Sequence, residues 1–248
     1  MVISGKTHNV ELKLFLSLLR EALWRNSGNI PSELTEEESK KLFPLAEKQA
    51  VLGLIIDSLM RHNIKMPQMK VFEVIGTLEQ IKNTNRLVNN GVVDLHRLLE
   101  KYGVNYAVIK GQAVATCYSD PLLRQSGDID YYSNSGYYNR SLQAVKEKWG
   151  VLPETHGSEK HADYDYNGNR YEAHFLLTDL HSKERNDYLQ EIIDNDLRST
   201  VTINGEKVRI FSPTLHSLYI FLHIFFSSYR VGGGASSILR LGDDTACK

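Results

Sequence analysis

The sequence predicts an α+β fold in which a mixed β-sheet core lies between an N-terminal helical region and a C-terminal helix. Three observations support this prediction. Apolar residues recur at helical spacing through the first hundred positions, short β-rich runs replace them from Val104, and an apolar helical pattern returns after Pro213. We therefore expect three regions, which are residues 1–102, 103–212 and 213–248.

The N-terminal region is expected to form amphipathic helices. A second helix should begin near Ser32 or Thr35, because the glutamates that follow suit a first helical turn. The helical pattern resumes after Pro44, and a longer one follows Pro67 and ends at Gly103. The first helix is predicted from apolar residues at helical spacing, which are Leu12, Phe15, Leu16, Leu19 and Leu23.

The long helix contains two glycines in its interior, Gly76 and Gly91. Glycine in a helix interior is about 1 kcal/mol less favourable than alanine. We therefore expect these positions to mark bends or close contacts.

The region after Val104 is predicted to form short strands and two hairpins. In each hairpin, an Asn-Gly turn joins two runs in which apolar and polar residues alternate. The turns are at Asn167-Gly168 and at Asn204-Gly205. Ser212 as N-cap and Pro213 at the first helical position then predict the start of the C-terminal helix. Before the hairpins, the predicted elements are a strand in VNYAVI, a short helix in QAVATCY, a strand in DIDYYS and a helix in YYNRSLQAVKEKW.

The C-terminal helix, predicted over residues 214–229, needs a partner for its apolar surface. Three partners are open at this point: the N-terminal helical region, an oligomer interface, or further chain in a longer natural protein.

Composition places the chain among ordinary globular proteins. It has 248 residues, of which 42% are hydrophobic and 24% charged. No run approaches the ~18–20 apolar residues of a membrane span, and the N-terminus lacks a signal-peptide pattern. The two cysteines, Cys117 and Cys247, have no metal-type spacing and are interpreted as reduced thiols. We therefore expect a cytoplasmic protein without membrane contact.

The charge distribution argues against a surface for extended nucleic acid. Residues 1–110 carry 15 Lys and Arg against 12 Asp and Glu, and residues 111–248 carry 14 against 18. Non-specific binding of long nucleic acid requires a stripe of basic residues. A small nucleotide stays compatible, because a metal ion can carry the charge of its phosphates.

Asp128 and Asp130 form the most suggestive acidic pair. If both lie in one strand, their side chains project from the same face and repel unless a cation or proton lies between them. Mg²⁺ suits such a pair, because it prefers carboxylate oxygens. The chain has four acidic-x-acidic pairs, and this one is distinguished by its apolar context after a strand–Gly–helix unit: Glu36/Glu38, Asp128/Asp130, Asp163/Asp165 and Asp194/Asp196.

Lys110 and Gly111 follow the first predicted strand of the core. Glycine there allows the backbone to approach a phosphate, and a helix N-terminus favours an anion. Lys110 and Arg124 could add positive charge toward phosphate, Arg124 in bidentate fashion.

Together these residues resemble the polymerase-beta-like nucleotidyltransferase superfamily, and within it a bacterial family of uncharacterised nucleotidyltransferases. The resemblance covers roughly residues 104–176 and implies that the mixed sheet is a nucleotidyltransferase core. Members carry a Lys-Gly step, an arginine before the Asp pair, and a later acidic-x-His strand. In this chain the motifs are Ile109-Lys110-Gly111, Tyr118…Pro121…Arg124, Gly127-Asp128-Ile129-Asp130 and Tyr171-Glu172-Ala173-His174.

The resemblance implies the roles of the site residues. Asp128 and Asp130 are expected to bind two Mg²⁺ ions, with Glu172 as the third metal-binding and catalytic acid. The superfamily usually has Ser or Gly after the first glycine, whereas this chain has Gln112, so another side chain must contact phosphate. The nucleotide-binding residues are therefore expected to be Lys110, Gly111, Gln112, Arg124 and Gly127.

The histidines are weaker candidates for a functional role than the acidic residues. His174 follows Glu172 at i+2, so it is a candidate for substrate contact or for support of the acids, against the alternative of a structural histidine. His216 and His223 lie on one face of the C-terminal helix, where packing is favoured over metal ligation.

The predicted function is Mg²⁺-dependent transfer of a nucleoside monophosphate from an NTP to an unknown acceptor, which is a small molecule, a protein or RNA. One alternative keeps the fold without the activity, as a nucleotide-binding pseudoenzyme or a toxin–antitoxin-type component. Another is a helical protein-interaction module with no nucleotide site.

Overall fold

The computed structural model describes residues 4–26, 30–125, 127–155, 161–178, 180, 182–197 and 199–231, and within them it is an α+β protein. Six strands form one mixed sheet. The helices are α1 (Ser4–Trp24), α2 (Glu36–Lys48), α3 (Leu52–Arg61), α4 (Gln68–Lys101), α5 (Gly111–Ala115), α6 (Ser135–Trp149), α7 (Lys183–Asn195) and α8 (Pro213–Val231). The strands are β1 (Ala107–Ile109), β2 (Ile129–Tyr132), β3 (His161–Tyr166), β4 (Asn169–His174), β5 (Ser199–Ile203) and β6 (Glu206–Ile210).

Helix α2 begins at one of the two predicted caps. The Thr35 hydroxyl accepts a hydrogen bond of 3.2 Å from the Glu38 amide, and the Glu38 carboxylate accepts one of 2.9 Å from the Thr35 amide. This reciprocal capping box satisfies backbone donors that a helix N-terminus leaves unpaired. The start at Thr35 is therefore confirmed, and Ser32 lies outside the helix.

The expectation that the helical pattern resumes after Pro44 is wrong, because α2 runs through Pro44 to Lys48. Proline removes the helical hydrogen bond to the carbonyl four residues earlier, here that of Lys40. Both Pro44 and Lys40 are exposed, so water can satisfy this carbonyl. The helix ends only before Ala50, which has a φ of +56°.

The sheet has the strand order β3-β4-β2-β1-β6-β5. Strand β2 pairs antiparallel with β1 and parallel with β4, and β1 pairs parallel with β6. Both predicted hairpins are confirmed, as β3–β4 and β5–β6, and the turn residues Asn167, Gly168, Asn204 and Gly205 all have positive φ. Positive φ at both central positions is what a two-residue type I′ hairpin turn requires.

The two faces of the sheet carry different helices. Tyr131 belongs to a buried cluster with α4 and α6, whereas Ile109 and Tyr132 belong to another with Leu215 of α8 and residues of α7. Alternate residues of a strand point to opposite faces, so Asp130 projects toward the α7–α8 side with Tyr132. The C-terminal helix thus finds an apolar partner in the sheet.

Helix α7 lies where no element was predicted. Within it, Ile193 is buried, and Leu189 packs against the same cluster as Ile109 and Tyr132 of the sheet.

Cys117 lies among the described residues, between α5 and the segment that carries Arg124, and the interpretation of both cysteines as reduced thiols stays a prediction. Cys247 lies outside the described residues. Separately, none of the helices in the described ranges has both the length and the apolar character needed to cross a membrane.

Gly91 is a close-contact position, as expected, and its replacement by alanine should lower the free energy of unfolding by about 2 kcal/mol. A Cβ at Gly91 would lie 2.6 Å from Asn169 Nδ2 and 2.8 Å from both Ile129 Cδ1 and the Tyr171 hydroxyl. These three neighbours are buried, so α4 would have to move away from the sheet. Urea unfolding of purified variants measures the change.

Gly76 provides the matched control within the same helix. No atom lies within 4 Å of its Cβ position, so Gly76→Ala should raise the free energy of unfolding by up to about 1 kcal/mol through helix propensity. Stabilisation by both substitutions would contradict the tight approach of α4 to the sheet.

Candidate active site

The candidate site lies on the face of the sheet where α8 packs, and Asp130 is at its centre. In the register of the sheet, Asp130 of β2 lies between Ile109 of β1 and Glu172 of β4. His174 follows Glu172 at i+2 and therefore projects from the same face. Ligand atoms of Asp130, Glu172 and His174 all lie within 4.8 Å of one another. The parallel pairing of β2 with β4 thus brings together residues that are more than forty positions apart.

Two basic side chains bind the Asp130 carboxylate. Lys110 Nζ and His174 Nε2 each lie 2.8 Å from the same oxygen, Oδ1, and the Asp130 side chain is only 3% exposed. Burial alone would raise the pKa of Asp130, but the charges of Lys110 and His174 outweigh burial and lower it. Asp130 is therefore a buried carboxylate that is ionised and already paired.

His174 connects the two acids. Its Nε2 lies 2.8 Å from Asp130 Oδ1 and 3.4 Å from Glu172 Oε2. Burial would lower the pKa of His174, but its contacts with Asp130 and Glu172 prevail and raise the pKa above the ordinary 6.5. The His174 imidazole thus lies between the two acids, and their contacts favour its protonated form.

Asp128 has a different environment. It precedes β2, so strand geometry does not align it with Asp130 as predicted, and among the described residues it does not join the group within 4.8 Å. Burial and the charges of Asp130 and Glu172 raise the pKa of Asp128, whereas Lys110 and Arg124 lower it. Burial and the two neighbouring acids thus outweigh the basic groups near Asp128 in setting its pKa.

The turn after β1 has an unusual backbone. Lys110 has a φ of +51° and Gly111 a φ of +29°. A non-glycine residue at positive φ is uncommon and is sustained by surrounding contacts. Here the Lys110 amide donates a hydrogen bond of 2.8 Å to His216 Nε2. Burial and the nearby Arg124 lower the pKa of His216 to about 4, so its neutral imidazole can accept this bond.

Helix α8 therefore contributes two site residues that sequence reasoning missed. His216 accepts the Lys110 amide, and Lys110 Nζ lies 5.8 Å from the centroid of the Tyr219 ring. His216 and Tyr219 are three residues apart on one helical face, which was the available signal. Among the described residues, neither His216 nor His223 belongs to a group able to hold a metal.

The segment that carries Arg124 is anchored by the N-terminal helices. Asn85 Nδ2 donates hydrogen bonds of 2.8 Å to the Leu122 carbonyl and 2.6 Å to the Arg124 carbonyl. The Leu52 amide, at the start of α3, donates one of 2.6 Å to Gln125 Oε1. These bonds hold the backbone at Leu122 and Arg124 and the side chain of Gln125. The charge of Arg124 acts on Asp128 and His216.

Gln112 and Gly127, both predicted to bind nucleotide, have contrasting surroundings. Gln112 is 3% exposed, and its Nε2 donates to Asn89 Oδ1 of α4. Gly127 is exposed, and no atom lies within 4 Å of the position of its missing Cβ. Gln112 is thus engaged with α4, whereas the backbone at Gly127 is open to an approaching ligand.

Both members of the Asp194/Asp196 pair have structural contacts. Asp194 Oδ1 accepts a hydrogen bond of 2.6 Å from the Tyr132 hydroxyl, and Asp196 Oδ2 accepts one of 2.7 Å from the Ser212 amide. Asp163 differs, because it lies opposite Glu172 in the pairing of β3 with β4.

Of three comparisons with known proteins, the comparison with family models shows the family of this chain. No curated protein is similar enough to the chain to count as a match. The crystal structure of an antigenic nucleotidyltransferase-like protein from Paracoccidioides brasiliensis matches with 17% identity and a TM-score of 0.45, over 64% of this chain and 75% of that one. A family model described as "uncharacterised nucleotidyltransferase" matches residues 35–234, which include every predicted site residue. The chain belongs to this family of uncharacterised nucleotidyltransferases.

Proposed function

We propose that this protein transfers a nucleoside monophosphate from an NTP to an acceptor in a Mg²⁺-dependent reaction. The observation that carries the proposal is the juxtaposition of Asp130 and Glu172 on adjacent strands, with Asp128 close enough that their charges act on it. Nucleotidyl transfer depends mainly on positioning and on neutralising phosphate charge. The chain offers acidic and basic groups for both tasks within one site.

The carboxylates of the candidate site are suitable ligands for magnesium. Asp128, Asp130 and Glu172 provide the hard oxygen ligands that Mg²⁺ prefers. Burial and then the negative charges of Asp130 and Glu172 raise the pKa of Asp128, and such clustered negative charge favours a bound cation. When bound, Mg²⁺ would neutralise phosphate charge and lower the pKa of an attacking hydroxyl. The proposed number of Mg²⁺ ions is two, as the resemblance implies.

The basic residues have distinct proposed roles. Lys110 and His174 hold the Asp130 carboxylate through Oδ1, which fixes its orientation. Arg124, on a segment anchored by Asn85, is the candidate for contact with a nucleotide phosphate. Gly127 lies open at the same loop and offers its backbone to the ligand.

A second candidate is a nucleotide-binding protein of the same fold that does not transfer the nucleotide. It is favoured by one observation, the occupation of Asp130 Oδ1 by two basic groups, which compete with a metal for that oxygen. Membership of the family disfavours the third alternative, a helical interaction module with an incidental acidic pair.

Incubation of the purified protein with α-³²P-labelled NTPs, Mg²⁺ and candidate acceptors tests the proposal. We expect label to appear on an acceptor or on the protein itself, and we expect EDTA to abolish the transfer. Label should persist in Asp165→Asn, because Asp165 is exposed on β3. Mg²⁺-dependent NTP binding without transfer would support the second candidate, and absence of NTP binding would contradict both.

A further inference from the structure

Strand β3 extends the candidate site with two more metal-ligating side chains. In the antiparallel pairing of β3 with β4, Asp163 lies opposite Glu172 and His161 lies opposite His174. Directly paired residues point to the same face of a sheet. Three carboxylates on adjacent strands, Asp130, Glu172 and Asp163, therefore form one row.

The outer part of this row has the spacing of a metal site. Ligand atoms of His161, Asp163 and Glu172 lie within 4.8 Å of one another, and all three side chains are half-buried. His161 Nε2 lies 3.4 Å from Asp163 Oδ1. This separation is long for a hydrogen bond, but bonds of 2.0–2.1 Å in a tetrahedral zinc site place neighbouring ligands about 3.4 Å apart.

One oxygen in this group has an unmet bonding requirement. Asp163 Oδ1 is buried and has no hydrogen-bond partner among the described residues. The other oxygen, Oδ2, accepts a hydrogen bond of 2.8 Å from Arg170, which fixes the orientation of the carboxylate. A buried acceptor without a partner is unfavourable unless a ligand satisfies it.

We propose that His161, Asp163 and Glu172 form a second metal site, selective for a divalent transition metal such as Zn²⁺ over Mg²⁺. An imidazole nitrogen with carboxylate oxygens is a mixed donor set that suits zinc, whereas magnesium prefers oxygen alone. Two carboxylates neutralise the divalent charge, and three protein ligands leave a position for water or substrate. This site does not depend on nucleotidyl transfer, although it shares Glu172 with the candidate active site.

Titration of the metal-free protein with Co²⁺, followed by its visible absorption, tests this site without an activity measurement. We expect a saturable band that Zn²⁺ displaces and excess Mg²⁺ does not. His161→Ala and Asp163→Asn should each weaken Co²⁺ affinity by about 100-fold, because each removes a direct ligand. Thermal unfolding followed by circular dichroism checks that both variants remain folded.

Two further variants identify where the ion binds. Asp165→Asn, two residues from Asp163 on β3, and Asp128→Asn should both retain the Co²⁺ band. Because Asp128→Asn is directed at the magnesium site, retention of the band there separates this proposal from the proposed function. Loss of the band in His174→Ala with full retention in His161→Ala would place the ion on Asp130, Glu172 and His174 and overturn the proposal. Absence of a Zn²⁺-displaceable band in the wild-type protein would also overturn it.

Discussion

Replacement of Asp130 by asparagine is expected to lower the free energy of unfolding at pH 7 by about 3 kcal/mol. The Asp130 carboxylate is 3% exposed and lies 2.8 Å from both Lys110 Nζ and His174 Nε2. Asparagine keeps the shape of the side chain but removes its negative charge. The largely buried Lys110 ammonium then loses its counterion, which is the costly way to break a buried ion pair.

The pH dependence of this effect has a defined sign. The pKa of Asp130 is lower in the folded protein than its ordinary value of 3.8. Its contribution to stability is therefore complete above pH 3.8 and is lost as the pH falls through the lowered value. The difference between wild type and Asp130→Asn, measured by urea unfolding, should be full at pH 7 and should shrink below pH 3.8.

A double mutant tests the cause of the destabilisation. Lys110→Met combined with Asp130→Asn removes both charges, so it should be more stable than Asp130→Asn alone. Asp165→Asn, an exposed acid on β3, should change the free energy of unfolding by no more than about 0.5 kcal/mol. Additive losses in the double mutant would contradict the assignment of Lys110 as the partner of Asp130.

Local sequence signals were sufficient for the elements that frame the site. Asn-Gly turns between runs of alternating apolar and polar residues predicted both hairpins, and Glu172 lies in the hairpin whose strand β4 pairs with β2. The change of periodicity after Val104 predicted the sheet, and Ser212 predicted the start of α8. These predictions succeed because turn chemistry and side-chain periodicity act over a few residues.

Long-range contacts account for what the sequence did not reveal. His216 reaches the Lys110 amide across 106 positions, and no local pattern encodes that distance. Asp163 and Asp165 were equivalent in sequence, yet strand pairing places Asp163 against Glu172 and leaves Asp165 exposed.

The start of β2 differs from the prediction that Asp128 and Asp130 lie in one strand. The i, i+2 rule applies within a strand, but β2 begins one residue after Asp128. The pKa shifts of the two acids are opposite, because burial and neighbouring acids prevail at Asp128 whereas Lys110 and His174 bind Asp130.

Replacement of Asp128 by asparagine is expected to leave the protein folded and to weaken Mg²⁺-dependent nucleotide binding by about 100-fold or more. The pKa of Asp128 is raised above its ordinary 3.8 by burial and by the charges of Asp130 and Glu172. Ionisation of Asp128 therefore subtracts stability from the folded state, and this penalty is present above the raised pKa and absent at low pH. At pH 7 the free energy of unfolding of Asp128→Asn should thus equal or exceed that of the wild type.

Calorimetric titration with Mg²⁺ and a non-hydrolysable NTP measures the loss of binding, with Asp165→Asn as the matched control that keeps wild-type affinity. The two substitutions then distinguish an effect on stability from an effect on nucleotide binding, because we expect only Asp130→Asn to lower the free energy of unfolding. A stability loss in both variants would mean that Asp128 is also a paired structural acid. Unchanged Mg²⁺-NTP affinity in a folded Asp128→Asn variant would remove Asp128 from the metal site, since a neutral amide cannot replace a charged ligand beside two other acids.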